Sequence, residues 1–246
     1  MSPLATTAIV FACIFSGALL GIYVNSFLAE RQISPASRDV VRLAMGLVAT
    51  TVALVLGLLV GSAKSFYDTQ NAEMTQLAAN FITLDRVLAH YGGETSDSRA
   101  ALRIFLPRVA ELFAAHDGPR APKAEGEVIL DKIQGLSPKD DNQRSLKAQA
   151  TSLAIQMGQS SWLVFEQKSM PVPNVLLMML IFWLTVLFIS FGVFGPRNLT
   201  VLVGLFVSAL AVSGAIFLIL EMYHPDAGLL RVSEAPLRAA MAQVGQ

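Results

Sequence analysis

Four long stretches without a charged side chain, 1–29 (up to Glu30), 43–63, 169–196 and 198–220, constrain this chain more than any other feature. At about 1.5 Å per helical residue, each reaches across roughly 30 Å of hydrocarbon. They form two pairs on either side of a charged segment. The expected fold is therefore an all-α membrane protein with four transmembrane helices in two pairs and a helical soluble bundle inserted between spans two and three. The expected boundaries are 1–63 for the first helix pair, 64–168 for the insert, 169–222 for the second pair and 223–246 for a C-terminal tail.

The charge distribution sharpens this division. Charged residues make up 15% of the chain, against about a quarter in a soluble globular domain. Of the 36 charged residues, 25 lie between Lys64 and Lys168, so the insert alone has a soluble composition. Net charge is zero and like charges do not cluster, which speaks against a nucleic-acid partner or a polybasic lipid switch. The lipid bilayer is the expected partner.

The opening stretch is expected to remain as an uncleaved first span. Met1 to Thr7 carries no positive residue, the apolar run is too long for a signal-peptide core, and Phe27-Leu28-Ala29-Glu30 makes a poor cleavage site. Cys13, the single cysteine, allows no intrachain disulfide and is expected to be a small packing residue. Topological signals conflict. Arg31, Arg38 and Arg42 after the first span and Arg197 before the fourth place both short connections in the cytoplasm and the insert outside. Lys64, Lys168, Arg231 and Arg238 flank the opposite ends in nearly equal number. The balance tips narrowly towards a periplasmic insert in the bacterial inner membrane.

Within the insert, Met74, Leu77, Phe81, Leu84, Leu88 and Tyr91 follow spacings of three and four, a seam that needs a partner helix. Leu102, Phe105, Val109 and Leu112 form a second stripe, and Leu146, Ala150, Leu153 and Met157 a third. Asp97 is the expected N-cap of the second helix. Ser137, Pro138 and Asp140 supply the third with a cap, a first-turn proline and part of a capping box. The run 117–122 (DGPRAP) reads as a loop, and a short helix is expected over 127–134. No breaker separates the second span from the insert, whereas Pro171 and Pro173 interrupt the return path.

Candidate sites are few. Gly46, Thr50, Ala53, Gly57 and Gly61 make a stripe of small residues on the second span, and Gly57 with Gly61 is a G-x-x-x-G pair. Tight helix packing is the expected role, with the lining of a narrow conduit as the alternative. Gly204, Ser208, Ala211 and Ala215 form a matching stripe on the fourth span, so the two stripes are expected to face each other. Tyr67 and Asp68, just past the second span, are vestibule candidates, with an ordinary helix-surface role set against that, as for Asp85-Arg86. Tyr23 and Asn25 are expected interfacial anchors, and Trp183 a packed core residue.

No catalytic constellation is present. His90, His116 and His224 lack a second histidine or a cysteine at ligand spacing, so neither a metal nor another cofactor is expected. His116 is expected to cap the carbonyls of a helix end. No ionisable residue falls inside the four stretches, which disfavours an ion-coupled transporter.

Three patches together carry a family resemblance. They are Ser37-Arg38-Asp39-Val40 leading into the glycine-rich second span; Tyr67-Asp68 opening the helix that reaches Leu84-Asp85-Arg86; and the tail, Pro225 with 228–233 (GLLRVS) and Pro236-Leu237-Arg238. In this combination the chain resembles the bestrophin-like membrane proteins of bacteria. It departs in having Asp226 and Ala227 where an aromatic residue would follow the proline. The resemblance implies four spans around a helical insert, like that of the bestrophin anion channels, which assemble as pentamers around a pore constricted by apolar, largely aromatic residues of the second span. Here the stretch 43–63 contains no aromatic residue.

Two functions follow as expectations. One is a homo-oligomeric, passive, anion-tolerant ion channel. The other is a non-conducting membrane scaffold or sensor that acts through its helical bundle. An enzyme is not expected.

Overall fold

The computed structural model describes residues 2–27, 35–114, 123–167, 174–223 and 230–244. Eight α-helices carry the fold among these residues: α1 Pro3–Phe27, α2 Pro35–Tyr91, α3 Ser96–Ala114, α4 Lys123–Gln134, α5 Asp141–Gln167, α6 Asn174–Phe194, α7 Leu199–Tyr223 and α8 Ala235–Gln243. A short 3₁₀ turn, Gly93–Thr95, precedes α3. No strand occurs among the described residues. The loop expected over 117–122, together with His116, Pro171, Pro173, His224, Pro225, Asp226 and Ala227, lies outside them, as do Arg31 and the side chains of Arg38 and Leu112.

The chain divides into two compact units, Met1–Phe66 with Pro171–Tyr223, and Tyr67–Met170 with His224–Gln246. Helix α2 runs through 57 residues without a break, as its lack of an internal proline permits.

The first unit contains α1, the N-terminal part of α2, α6 and α7. All four helices are long and apolar enough to cross a membrane. Four hydroxyls inside them return to their own backbone: Thr50 donates to the Gly46 carbonyl at 2.9 Å, Thr51 to Leu47 at 3.1 Å, Thr185 to Ile181 at 2.8 Å and Ser190 to Val186 at 2.9 Å. Each hydroxyl is thereby satisfied without water or a second helix. Val10, Ile14 and Ala18 of α1, Val52, Leu59 and Ala63 of α2, Leu180, Leu184 and Phe188 of α6 and Ala209 and Ile216 of α7 make the core.

Helices α1 and α6 approach most closely. A Cβ added to Gly21 would stand 2.1 Å from the Ile189 carbonyl oxygen, and one on Gly192 would stand 2.3 Å from that of Ala18. Gly17 faces Thr185, whose Cγ2 would lie 3.1 Å from an added Cβ. Only hydrogen at these positions lets the two backbones meet. Asn25 donates to the Gly195 carbonyl at 3.2 Å, so it ties α1 to the end of α6 as well as lying near a helix end. Phe206 of α7 meets Phe11 and Phe15 of α1 edge-on at 5.5 and 5.4 Å. Cys13 is exposed rather than packed. Trp183, expected in the core, is 37% exposed and touches Phe182 at 5.5 Å between ring centres.

The second unit is a helical bundle around one core. Met74, Leu77, Phe81, Leu84, Leu88 and Tyr91 of α2 are all buried. Leu102, Phe105, Leu106 and Val109 of α3, Ile129 and Ile133 of α4, Ala150 and Met157 of α5 and Leu237 and Ala240 of α8 close around the α2 seam. Helix α4 begins at Lys123, earlier than the expected 127.

The turn from α2 to α3 depends on Gly92, whose φ of +123° and ψ of −174° suit glycine alone. Thr95 fastens it by donating to the carbonyls of Leu88 and Gly92 at 2.6 and 2.8 Å. Helix α3 starts at Ser96, so Asp97 lies inside the first turn rather than capping it. There its charge complements the helix dipole. The cap of α5 also differs from expectation. Asp140 accepts from the Gln143 amide at 2.6 Å, and Gln143 accepts in return from the Lys139 amide at 2.8 Å. Pro138 therefore precedes the cap instead of occupying the first helical position.

Candidate functional site

At about 100° per residue, Gly46, Thr50, Ala53, Gly57 and Gly61 share one side of α2. They lie opposite the buried Val52, Leu59 and Ala63. All five are exposed, and a Cβ placed on Gly46, Gly57 or Gly61 would find no neighbouring atom within 4 Å. Gly204 on α7 is equally open. The glycines of the two stripes therefore make no contact with each other among the described residues, although Ala53 and Ser208, one from each stripe, line a common cavity. The close glycine contact is made by α1 and α6 instead. Gly17-x-x-x-Gly21 carries the same spacing in the sequence and was the signal for it.

Leu43, Leu47, Leu54 and Leu58 continue the open face of α2, each between 66 and 77% exposed. One half of this face is thus nearly flat and the other is ridged with leucine. Two apolar cavities flank the helix within the first unit. One of about 290 Å³ lies between Leu47, Thr51 and Val55 and the α6 residues Leu176, Met179 and Trp183. The other, of about 280 Å³, touches Ala53, Leu56, Phe188, Leu205 and Ser208.

Helix α7 extends past the charge-free stretch to Tyr223, which brings Glu221 into the helix at 4% exposure. The charge-free stretch itself ends at Leu220, one residue short of this buried carboxylate. Beside it in sequence, Tyr223 contacts the Ser62 hydroxyl at 3.1 Å and the Phe66 ring at 5.3 Å.

In the second unit, Tyr67 donates its hydroxyl to the Arg231 carbonyl at 3.2 Å, while Asp68 is exposed. The Tyr67 bond anchors the tail segment, which gives that side chain a structural task. Asp85 and Arg86 part company. Arg86 is exposed, whereas Asp85 is 3% exposed and receives Arg99 through two parallel bonds, Nε at 2.8 Å and an η nitrogen at 2.9 Å. The hydrogen bond to Asp85 raises the Arg99 pKa further, so the guanidinium stays charged.

At the α2–α5 junction, Gln143 donates to the Tyr91 carbonyl at 3.0 Å. Lys139 pairs with Glu94, whose hydrogen bond raises the lysine pKa. Burial, followed by the charge of Glu94, pushes the Tyr91 phenol up, and its hydroxyl is buried without a hydrogen-bond partner. Lys147 donates to the carbonyls of Gln134 and Leu136 at 2.6 and 2.8 Å, closing the C-terminus of α4. His90 contacts the Arg86 carbonyl in its own helix at 2.7 Å. Among the described residues no group of His, Cys, Asp or Glu is arranged to hold a metal ion.

A family model for the bestrophin-like domain matches residues 12–237. The chain belongs to this family. Two solved structures of a bacterial bestrophin homologue from Klebsiella pneumoniae, each a single-substitution variant, share the fold. The first has a TM-score of 0.73 at 12% identity, covering 99% of this chain and 97% of the other. The second has a TM-score of 0.71, also at 12% identity, covering 97% of each. No match was found among curated proteins. The bestrophin fold is thus kept in a sequence that has diverged widely. As a bestrophin-like chain with four apolar helices, this is a membrane protein.

Proposed function

We propose that this protein is one subunit of a homo-oligomeric, passive ion channel in the bacterial inner membrane. In this reading the open small-residue face of α2, Gly46, Thr50, Ala53, Gly57 and Gly61, meets its counterparts around a conduit. Tyr67 and Asp68 follow at its vestibule. The observation that carries the proposal is that the glycines of this face, on a helix long and apolar enough to span a membrane, have no covering neighbour among the described residues. The four spans form two pairs, with the soluble bundle of 64–168 inserted between spans two and three on the periplasmic side.

Membership of the bestrophin-like family supports conduction over catalysis. The face of α2 between Leu43 and Ala63 carries no charge, so selection would rest on dewetting and the cost of dehydrating the ion. Larger, weakly hydrated anions then pass more readily than chloride. Planar-bilayer recording of the purified oligomer tests this, with iodide current exceeding chloride current as the expected result. Silence under chloride, iodide and potassium gradients at both polarities would replace the channel with a non-conducting scaffold. The absence of an aromatic constriction on the second span favours that second reading. For sidedness, a cysteine placed at Ala121 in a Cys13→Ala background should react with an impermeant maleimide in intact cells. Labelling only after lysis would put the bundle in the cytoplasm.

A further inference from the structure

We draw no further inference here: the strongest candidate, the apolar cavity of about 280 Å³ that α2, α6 and α7 form around Ala53, Phe188 and Ser208, carries nothing because no feature of the structure shows what fills it.

Discussion

Gly192→Ala is the most informative single perturbation of the apolar unit. The new methyl carbon would lie 2.3 Å from the Ala18 oxygen and 2.8 Å from the Ile22 nitrogen. Ordinary contact begins at 3.4 Å, so α1 and α6 must separate by about 1 Å along a seam held by dispersion. Both obstacles are backbone atoms, and no side-chain rotation relieves the clash. Overpacking of this kind costs about 1–3 kcal/mol. A cost near 2 kcal/mol lowers the melting temperature of a chain this long by about 4–8 °C. Gly57→Ala is the control for the fold of a single subunit, within which no described atom crowds an added Cβ and only the helix-propensity gain of just under 1 kcal/mol remains. The assay is thermal unfolding of both variants in the same detergent, with size exclusion run in parallel. Gly57→Leu should leave the subunit folded while reducing the oligomer if α2 faces its copies. The seam argument fails if Gly192→Ala melts with the wild type.

Arg99→Ala removes two charge-assisted bonds from a buried carboxylate and should destabilise the second unit by about 1.5–3 kcal/mol, read by chemical denaturation. Asp85→Leu with Arg99→Met should recover most of that loss, and failure to recover would show that the pair does more than neutralise itself. Gly92→Ala forces a side chain into a glycine-only conformation at a cost of about 1–3 kcal/mol, and proteolysis at the α2–α3 turn should accelerate. The Tyr91 phenol is raised above its ordinary value of 10.0, so its contribution is fully present below that pH and is lost as pH rises through the folded value. Tyr91→Phe should therefore leave the neutral-pH melting temperature unchanged or higher and flatten its fall above pH 10, which a steep alkaline loss in the variant would refute.

The core of the second unit was legible because a seam with helical spacing has few ways to hide its apolar face. Met74, Leu77, Phe81, Leu84, Leu88 and Tyr91 are all buried, and the Leu102 and Ala150 stripes supply their partners. Pairings across the fold were less legible. Asp85 gave no hint of Arg99, because their contact depends on the turn at Gly92, which sequence spacing does not orient. The small residues show the limit most clearly. Gly17 with Gly21 and Gly57 with Gly61 have identical spacing, yet the first pair touches another backbone and the second touches nothing among the described residues. A lack of side chain permits close approach without naming the neighbour. Glu221 escaped because charge-free runs stop at the last apolar residue, whereas backbone hydrogen bonding carries the helix to Tyr223.

The seam between α1 and α6 also sets a schedule for biosynthesis. Asn25 and the carbonyl it holds at Gly195 are 170 residues apart. At 5–20 residues per second, the first helix waits roughly ten to thirty seconds before its partner leaves the ribosome. Throughout that interval Gly17 and Gly21 present a pre-formed dimerisation surface to whatever else shares the bilayer. Crowded expression would then fail first by pairing the first helices of different chains, before any fault in the second unit is felt.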